Sequence, residues 1–334
     1  MKEHLKWIDI SKGVCLFFVL ISHRCGIPFV GRLVGAFYMP LFFIASGYTS
    51  KPIGGDRCAL AKKSKIIYKY FFYNAILIIC WIVFSTCSEG KVSNLWLKIG
   101  SIFYSRSYIY PTDYAGQLSL LDMHEVCNGP LWFLTAYFCS WVLYYFSEYI
   151  REKLNVDKKL ILTLLGFIAV VLDAVPILLP WSIDIAPVGA IFIYAGGFLK
   201  EKESDKIKSL YYMIGIIIFV VIAELNGITN FATRLYGNYR FISVVLFITT
   251  GILGTSLMFK ACQLLERFKA FNIFAVAGRN TLPILAFHLL AFKCIDSVWN
   301  FPSGQGLRTY VYGLAESIIV FLLIILCCVG LNSI

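Results

Sequence analysis

Charge is what this chain has least of. Only 15% of its 334 residues are Asp, Glu, Lys or Arg, while 59% are apolar; an ordinary globular domain has about 25% charged and about 45–50% apolar residues. Too little charge is present to cover a surface facing water, which excludes a soluble enzyme and indicates a chain that lives in a bilayer. Acids are the scarcer sign, 19 against 30 Lys and Arg, giving a formal charge of +11. No basic amphipathic segment or nucleic-acid module accompanies that excess, so no nucleic acid is expected as partner. Histidine is almost missing, at four residues, and each therefore has to be placed. No hydrophilic stretch is long enough for a soluble domain, and no internal repeat is visible, so residues 1–334 read as a single integral-membrane domain.

Eleven cysteines are present, but Cys15, Cys80, Cys139, Cys262, Cys327 and Cys328 fall inside apolar runs, where thiols behave as small hydrophobes. Cys25, Cys87 and Cys127 could pair in an oxidising compartment. The odd total and the lack of CxxC spacing argue against a disulfide framework or a zinc site, and no metal is expected. The apolar run from Gly13 to Ile21 is followed by Ser22, His23 and Arg24 rather than by small residues, so it does not read as a cleaved signal peptide.

Ten segments approach the ~20 residues needed to cross the hydrocarbon core. They run over about 10–30, 33–49, 67–87, 130–149, 160–179, 185–199, 210–226, 240–259, 276–297 and 310–331. The fold class is thus an all-α polytopic bundle. Placing the N-terminus inside puts 21 of the 30 basic residues on the cytoplasmic side, which by the positive-inside rule predicts both termini cytoplasmic. The longest outer loop, about 88–129, carries Asp113, Asp122, His124 and Glu125; it could contact an extracytoplasmic substrate or act as a structural cap.

The first helix is the most informative. Ten residues separate Lys12 from His23, far less than the ~30 Å core at ~1.5 Å per residue, so one or both must lie below the interface. Ionisable groups at that depth face a bundle interior or an aqueous cavity and mark function by default. Eleven steps of ~100° bring Lys12 and His23 to within ~20° on one face, ~16 Å apart. Asp9, almost one turn below Lys12, could hold the ammonium. The alternative is that Lys12 and His23 snorkel to opposite interfaces.

Further along, FYMPLFFIASGYTSK contains Pro40, Ser46 and Gly47, suited to close helix approach, and NGPLWFLTAYF opens a helix at Asn128, Gly129 and Pro130. The segment AGRNTLPILAFHLLAF puts His288 in an apolar helix, within ~20° of Thr281. A lone His there is usually a packing residue, but a second intramembrane His makes it a candidate partner of His23. His4 and His124 read as solvated. Asp173, Glu224, Asp296 and Glu316 lie toward the outer half and could line a cavity.

In order, these segments resemble the bacterial membrane acyltransferase 3 family, which includes acetylases related to fucose 4-O-acetylase. The matching residues are Ile8-Asp9, Lys12-Gly13 and His23, then Met39-Pro40-Leu41-Phe42-Phe43 with Ser46-Gly47-Tyr48. Next come Gly129-Pro130-Leu131-Trp132-Phe133-Leu134 and Gly196-Gly197, and last Gly278-Arg279-Asn280-Thr281-Leu282 with His288. The family's first-helix pattern is a basic residue, ten residues and a histidine. Most members have arginine where this chain has Lys12, which keeps the charge but not the planar bidentate fork.

The resemblance implies transfer of an acyl group, usually acetyl from acetyl-CoA, to a hydroxyl of a cell-surface polysaccharide or its lipid-linked precursor, by a multi-pass enzyme of the bacterial cytoplasmic membrane. Its expected partners are acetyl-CoA, a glycan or lipid-linked glycan and the lipid bilayer. His23 is the expected general base or transient acyl carrier, with Lys12 and His288 beside it in catalysis. Lys12 and Arg279 are expected at the polyanionic donor, and Asn280, Thr281 and Trp132 at the substrate. His288, Asn280 or Thr281 could orient the acceptor or stabilise the oxyanion. The competing classes are a proton-coupled transporter and a scaffold without chemistry.

Overall fold

The computed structural model describes residues 5–50, 57–90, 92, 95–106, 109–111, 129–202, 209–298 and 306–332. His4, His124, Asp113, Asp122, Glu125 and Cys127 lie outside the described residues, as do Lys2, Lys51, Lys91, Lys206 and Lys208.

All regular structure among the described residues is helical. In chain order the helices are α1 (Lys6–Arg24), α2 (Pro28–Gly35), α3 (Tyr38–Thr49), α4 (Arg57–Glu89), α5 (Leu95–Tyr104), α6 (Trp132–Leu154) and α7 (Lys158–Asp173). They continue with α8 (Ala186–Glu201), α9 (Ser209–Asn226), α10 (Phe241–Leu265), α11 (Asn272–Arg279), α12 (Thr281–Val298) and α13 (Leu307–Asn332). Every expected span overlaps a helix. Among the described residues six stretches are long and apolar enough to cross a membrane: Pro28–Thr49, Leu60–Cys87, Pro180–Glu201, Phe241–Leu265, Thr281–Val298 and Leu307–Gly330. α1 is not among them, because Lys6, Asp9, Lys12 and Arg24 dilute its nineteen residues.

Two expected spans are redrawn. The segment 10–30 does not run through: α1 stops at Arg24, Gly26 takes φ +56, and Pro28 opens the short α2. Glycine reaches that left-handed conformation without strain, and proline at the first helical position gives up an amide that has no acceptor anyway. The segment 276–297 is broken at Asn280, whose backbone leaves the helical region at φ −103, ψ 37, so α11 and α12 are separate helices. Cys25 and Cys87 are free thiols.

The chain divides into two compact units interleaved in sequence. The first comprises residues 1–42, 207–225 and 250–334, and the second residues 43–206 and 226–249.

In the first unit α1 packs against α11, α12 and α13. The closest approach is backbone to backbone, since a methyl group at Gly13 would overlap the Phe274 carbonyl and one at Gly278 would overlap the Asp9 carbonyl. Small residues permit such contact between apolar helices, where dispersion and packing replace the hydrophobic drive available in water. Trp7 meets Phe259 edge-on at 5.0 Å, and Phe17 lies between Phe274 and Phe321.

The second unit repeats the device between α3 and α8. A methyl at Gly47 would overlap the Ile193 carbonyl, and one at Gly196 the Ile44 carbonyl. Around Phe231 an aromatic core gathers Phe43, Trp132, Phe192, Tyr236 and Phe247. Its loops are stapled by one carboxylate: buried Asp184 takes Arg106 on one oxygen and Arg234 on the other. These guanidiniums also donate to the carbonyls of Leu179 at 3.2 Å and Ile177 at 3.1 Å. Paired this way, the buried charges and loop carbonyls satisfy one another. Burial and the nearby Asp184 carboxylate push the Tyr236 hydroxyl well above the ordinary phenol range.

Candidate active site

The chemistry-bearing residues of the first unit lie along α1. Near its N-terminal end Asp9 and Lys12 pair at 3.6 Å, one turn apart. The tight packing of Gly278 on Asp9 brings the end of α11, and with it exposed Arg279, to this turn of α1. Asn280 and Thr281 form the hinge between α11 and α12. The Asn280 amide donates to the Val276 carbonyl at 3.0 Å, and the Thr281 hydroxyl to the Gly278 carbonyl at 2.7 Å. The Thr281 hydroxyl proton and one of the two Asn280 amide protons are thus spent on the turn that seats Gly278 against α1.

Three turns further, His23 on α1 faces His288 on α12, with ring centroids 5.3 Å apart and planes inclined by 37°. His288 is fully buried and His23 exposed. His288 Nδ1 lies 3.1 Å from the Ile284 carbonyl and 3.0 Å from the Leu285 carbonyl. Carbonyl oxygens only accept, so Nδ1 carries the proton, and in the neutral ring Nε2 presents a lone pair. That Nε2 is buried and has no hydrogen-bond partner among the described residues. A buried imidazole acceptor therefore stands beside a second, exposed imidazole.

The rim of this pair is built by Arg24. Its guanidinium reaches Asp296 at 2.6 Å and Glu316 at 3.0 Å, and lies 4.5 Å over the Phe292 ring, which in turn meets His288 edge-on. Close approach of Gly313 to the Arg24 carbonyl locks α13 against the end of α1. Of the acids Asp173, Glu224, Asp296 and Glu316, Asp296 and Glu316 thus join this cluster, while Glu224 pairs with Arg32 at 2.7 Å. Arg24 itself gives no signal in the sequence beyond its place beside His23, because its partners lie 272 and 292 positions away.

The structure thus brings together His23 and His288, and separately Lys12, Asp9 and the α11–α12 turn. About 16 Å of α1 separates the two groups. Trp132 belongs to the second unit, where its ring meets Phe133 and Phe231 edge-on. Among the described residues no three His, Cys, Asp or Glu side chains group as metal ligands.

An all-helical membrane protein with an imidazole pair at its first helix has the build of a membrane enzyme. The family model of the acyltransferase 3 domain, described as an acyltransferase domain, matches residues 5–332. The chain belongs to the acyltransferase 3 family and is a membrane acyltransferase. No curated protein and no solved structure matches the chain.

Proposed function

We propose that this acyltransferase moves an acetyl group from cytoplasmic acetyl-CoA to a hydroxyl of a cell-surface polysaccharide or its lipid-linked precursor in the bacterial cytoplasmic membrane. The observation that carries the reading is the His23–His288 pair, since hydroxyl acylation needs a proton acceptor inside a water-poor site. A hydroxyl is a weak nucleophile until its proton is removed, and imidazole is suited to that task near neutral pH.

In this reading His23, the ring with an open side, takes the proton from the acceptor hydroxyl as the oxygen attacks the thioester carbonyl. The C–O bond forms, the tetrahedral intermediate collapses with loss of the thiolate, and the proton on His23 goes to the leaving sulfur. An acetyl-imidazole on His23, formed first and then passed to the hydroxyl, is the second route open to the same ring. His288 is the orienting partner: with its proton on Nδ1, neutral Nε2 accepts and can hold the acceptor hydroxyl or the His23 N–H. That chemistry suits orientation better than oxyanion stabilisation, which needs a donor.

Lys12 acts as a point charge toward the polyanionic donor, held by Asp9, and Arg279 adds a second cation at the same turn. Asn280 and Thr281 serve the substrate by fixing that turn. Trp132 offers an aromatic face of the kind that sugar rings stack upon.

Incubating purified protein with acetyl-labelled acetyl-CoA and membranes containing the cell's own surface glycan tests the assignment. Wild type is expected to place label on the glycan, and His23→Ala to abolish transfer while inserting normally. Normal turnover by His23→Ala would remove the base, and substrate movement without modification would return the transporter.

A further inference from the structure

We propose that Lys63, with Ser46, Ser50, Tyr137 and Trp141 in the second unit, forms a binding site for a phosphate-type oxyanion. Lys63 lies three residues inside the apolar stretch Leu60–Cys87 of α4, where a charged side chain needs a partner. Its ammonium donates to Tyr137 Oη at 3.0 Å, Ser46 Oγ at 3.1 Å and Ser50 Oγ at 3.4 Å. It also sits 3.9 Å over the Trp141 ring. None of these partners carries negative charge, and Lys63 has no ion pair among the described residues. Arg24, Arg32, Arg106, Arg151 and Arg234 each meet a carboxylate.

Counting protons sharpens the point. Ser46 Oγ accepts from Lys63 and, at 3.2 Å, from Trp141 Nε1–H, which can only donate. Both of its lone pairs are then taken, so the 2.5 Å contact between Ser46 and Tyr137 carries the Ser46 proton to Tyr137 Oη. Tyr137 Oη in turn accepts from Ser46 and Lys63, leaving its own O–H without an acceptor among the described residues. The cage therefore holds one cation without a counter-charge and one hydroxyl proton without an acceptor. Both are complements of an oxyanion, and charge-assisted bonds of this kind are the strong ones. Ser46 and Trp141 form a buried wall, whereas Lys63, Ser50 and Tyr137 are half-buried, which leaves an open side.

Two membrane-side sources supply such an oxyanion: the phosphate groups of coenzyme A, which rests on the donor proposed above, and an anionic phospholipid headgroup. Binding measurements without turnover separate them. In detergent, coenzyme A affinity is read by calorimetry with inorganic pyrophosphate as competitor. In nanodiscs, retained phosphatidylglycerol is counted against phosphatidylcholine by native mass spectrometry.

Lys63→Met is expected to lose about tenfold in affinity in one arm, Lys63→Arg to stay within about threefold, and Tyr137→Phe, which keeps the charge, to lose about threefold. A loss in the coenzyme A arm with pyrophosphate competition assigns the site to the donor, and a loss in the phosphatidylglycerol arm alone assigns it to lipid. Unchanged binding in both arms overturns the proposal. So does an equal loss in Lys69→Met, an exposed lysine of the same helix, which would mean a diffuse positive patch. Should Lys63→Met fail to fold, Tyr137→Phe decides by the same criteria. A protein that binds coenzyme A through Lys63 but transfers no acyl group would sink the transferase reading and leave this site standing; an active transferase whose binding ignores Lys63 does the converse.

Discussion

The crossing of α1 with α11 and the crossing of α3 with α8 use one device to opposite ends. Each is closed by two glycines that meet backbone carbonyls, Gly13 and Gly278 in the first unit, Gly47 and Gly196 in the second. Such contact fixes helix separation and register, so polar side chains on the same helices are held with little freedom. What is held differs. Along α1 Lys12 is met by Asp9 and Arg24 by Asp296 and Glu316, and the imidazole facing His23 has its buried Nε2 left without a hydrogen-bond partner among the described residues. Beside α3 the lysine keeps its charge and is met only by hydroxyls and rings. The first arrangement suits proton transfer and the second suits an anion.

The largest expected effect on stability breaks the charge half of this comparison. Glu316 has 2% of its side chain exposed and depends on Arg24. Arg24→Ala strands that carboxylate, and breaking a buried pair costs about 3 kcal/mol. A clear drop in Tm in detergent is expected, larger than for Lys63→Met, which strands only neutral hydroxyls. Equal shifts for the two variants would erase the distinction between a paired and an unpaired cation.

Next come the crossings themselves. Gly278→Ala and Gly196→Ala each push a methyl into a carbonyl of the facing helix, and overpacking of this kind costs about 1–3 kcal/mol. Both variants are expected to lower Tm by similar amounts. Gly278→Ala should also depress coenzyme A affinity, because it moves the turn carrying Arg279 away from Lys12. Wild-type affinity in a destabilised Gly278→Ala would detach that turn from the donor.

A smaller effect concerns the charge at the first turn of the site. Lys12→Arg is expected to retain acetyl transfer, and Lys12→Ala to lose about tenfold in kcat/KM, the loss of one charge-assisted contact. Lys12 and Asp9 keep 26% and 12% of their side chains exposed, so the pair itself adds little stability. An active Lys12→Ala would make Lys12 a snorkelling residue with no part in the chemistry.

Much of this was legible before the structure. Helical spacing on α1 already implies that Asp9 can hold the Lys12 ammonium one turn away, as it does at 3.6 Å. The pairing of His23 with His288 was open to reasoning because histidine is so scarce. Glu316 and Asp296 are visible in the sequence as acids in or beside apolar runs, but which cation they meet is set by packing between helices far apart in sequence. In the sequence Lys63 is one of 21 charges that orient the chain, because a topology signal and a binding residue look identical until the neighbours are known. Asn280 and Thr281 read as substrate contacts from their motif, whereas in the structure each donates to a carbonyl of the helix hinge, a role that sequence does not show because 276–297 reads as one continuous apolar helix.

The smallest expected effect separates two neighbours that the motif treats alike. Gly196 and Gly197 stand together in the sequence, yet a methyl at Gly196 meets the Ile44 carbonyl while one at Gly197 meets nothing within 4 Å. Both lie inside α8, where glycine costs about 0.5–1 kcal/mol relative to alanine through backbone entropy. Gly197→Ala is therefore expected to raise Tm slightly and leave transfer unchanged, opposite in sign to Gly196→Ala one residue away. If both variants lowered Tm alike, the glycine pair would be serving something other than the α3 crossing, and the parallel between the two units would rest on Gly47 alone.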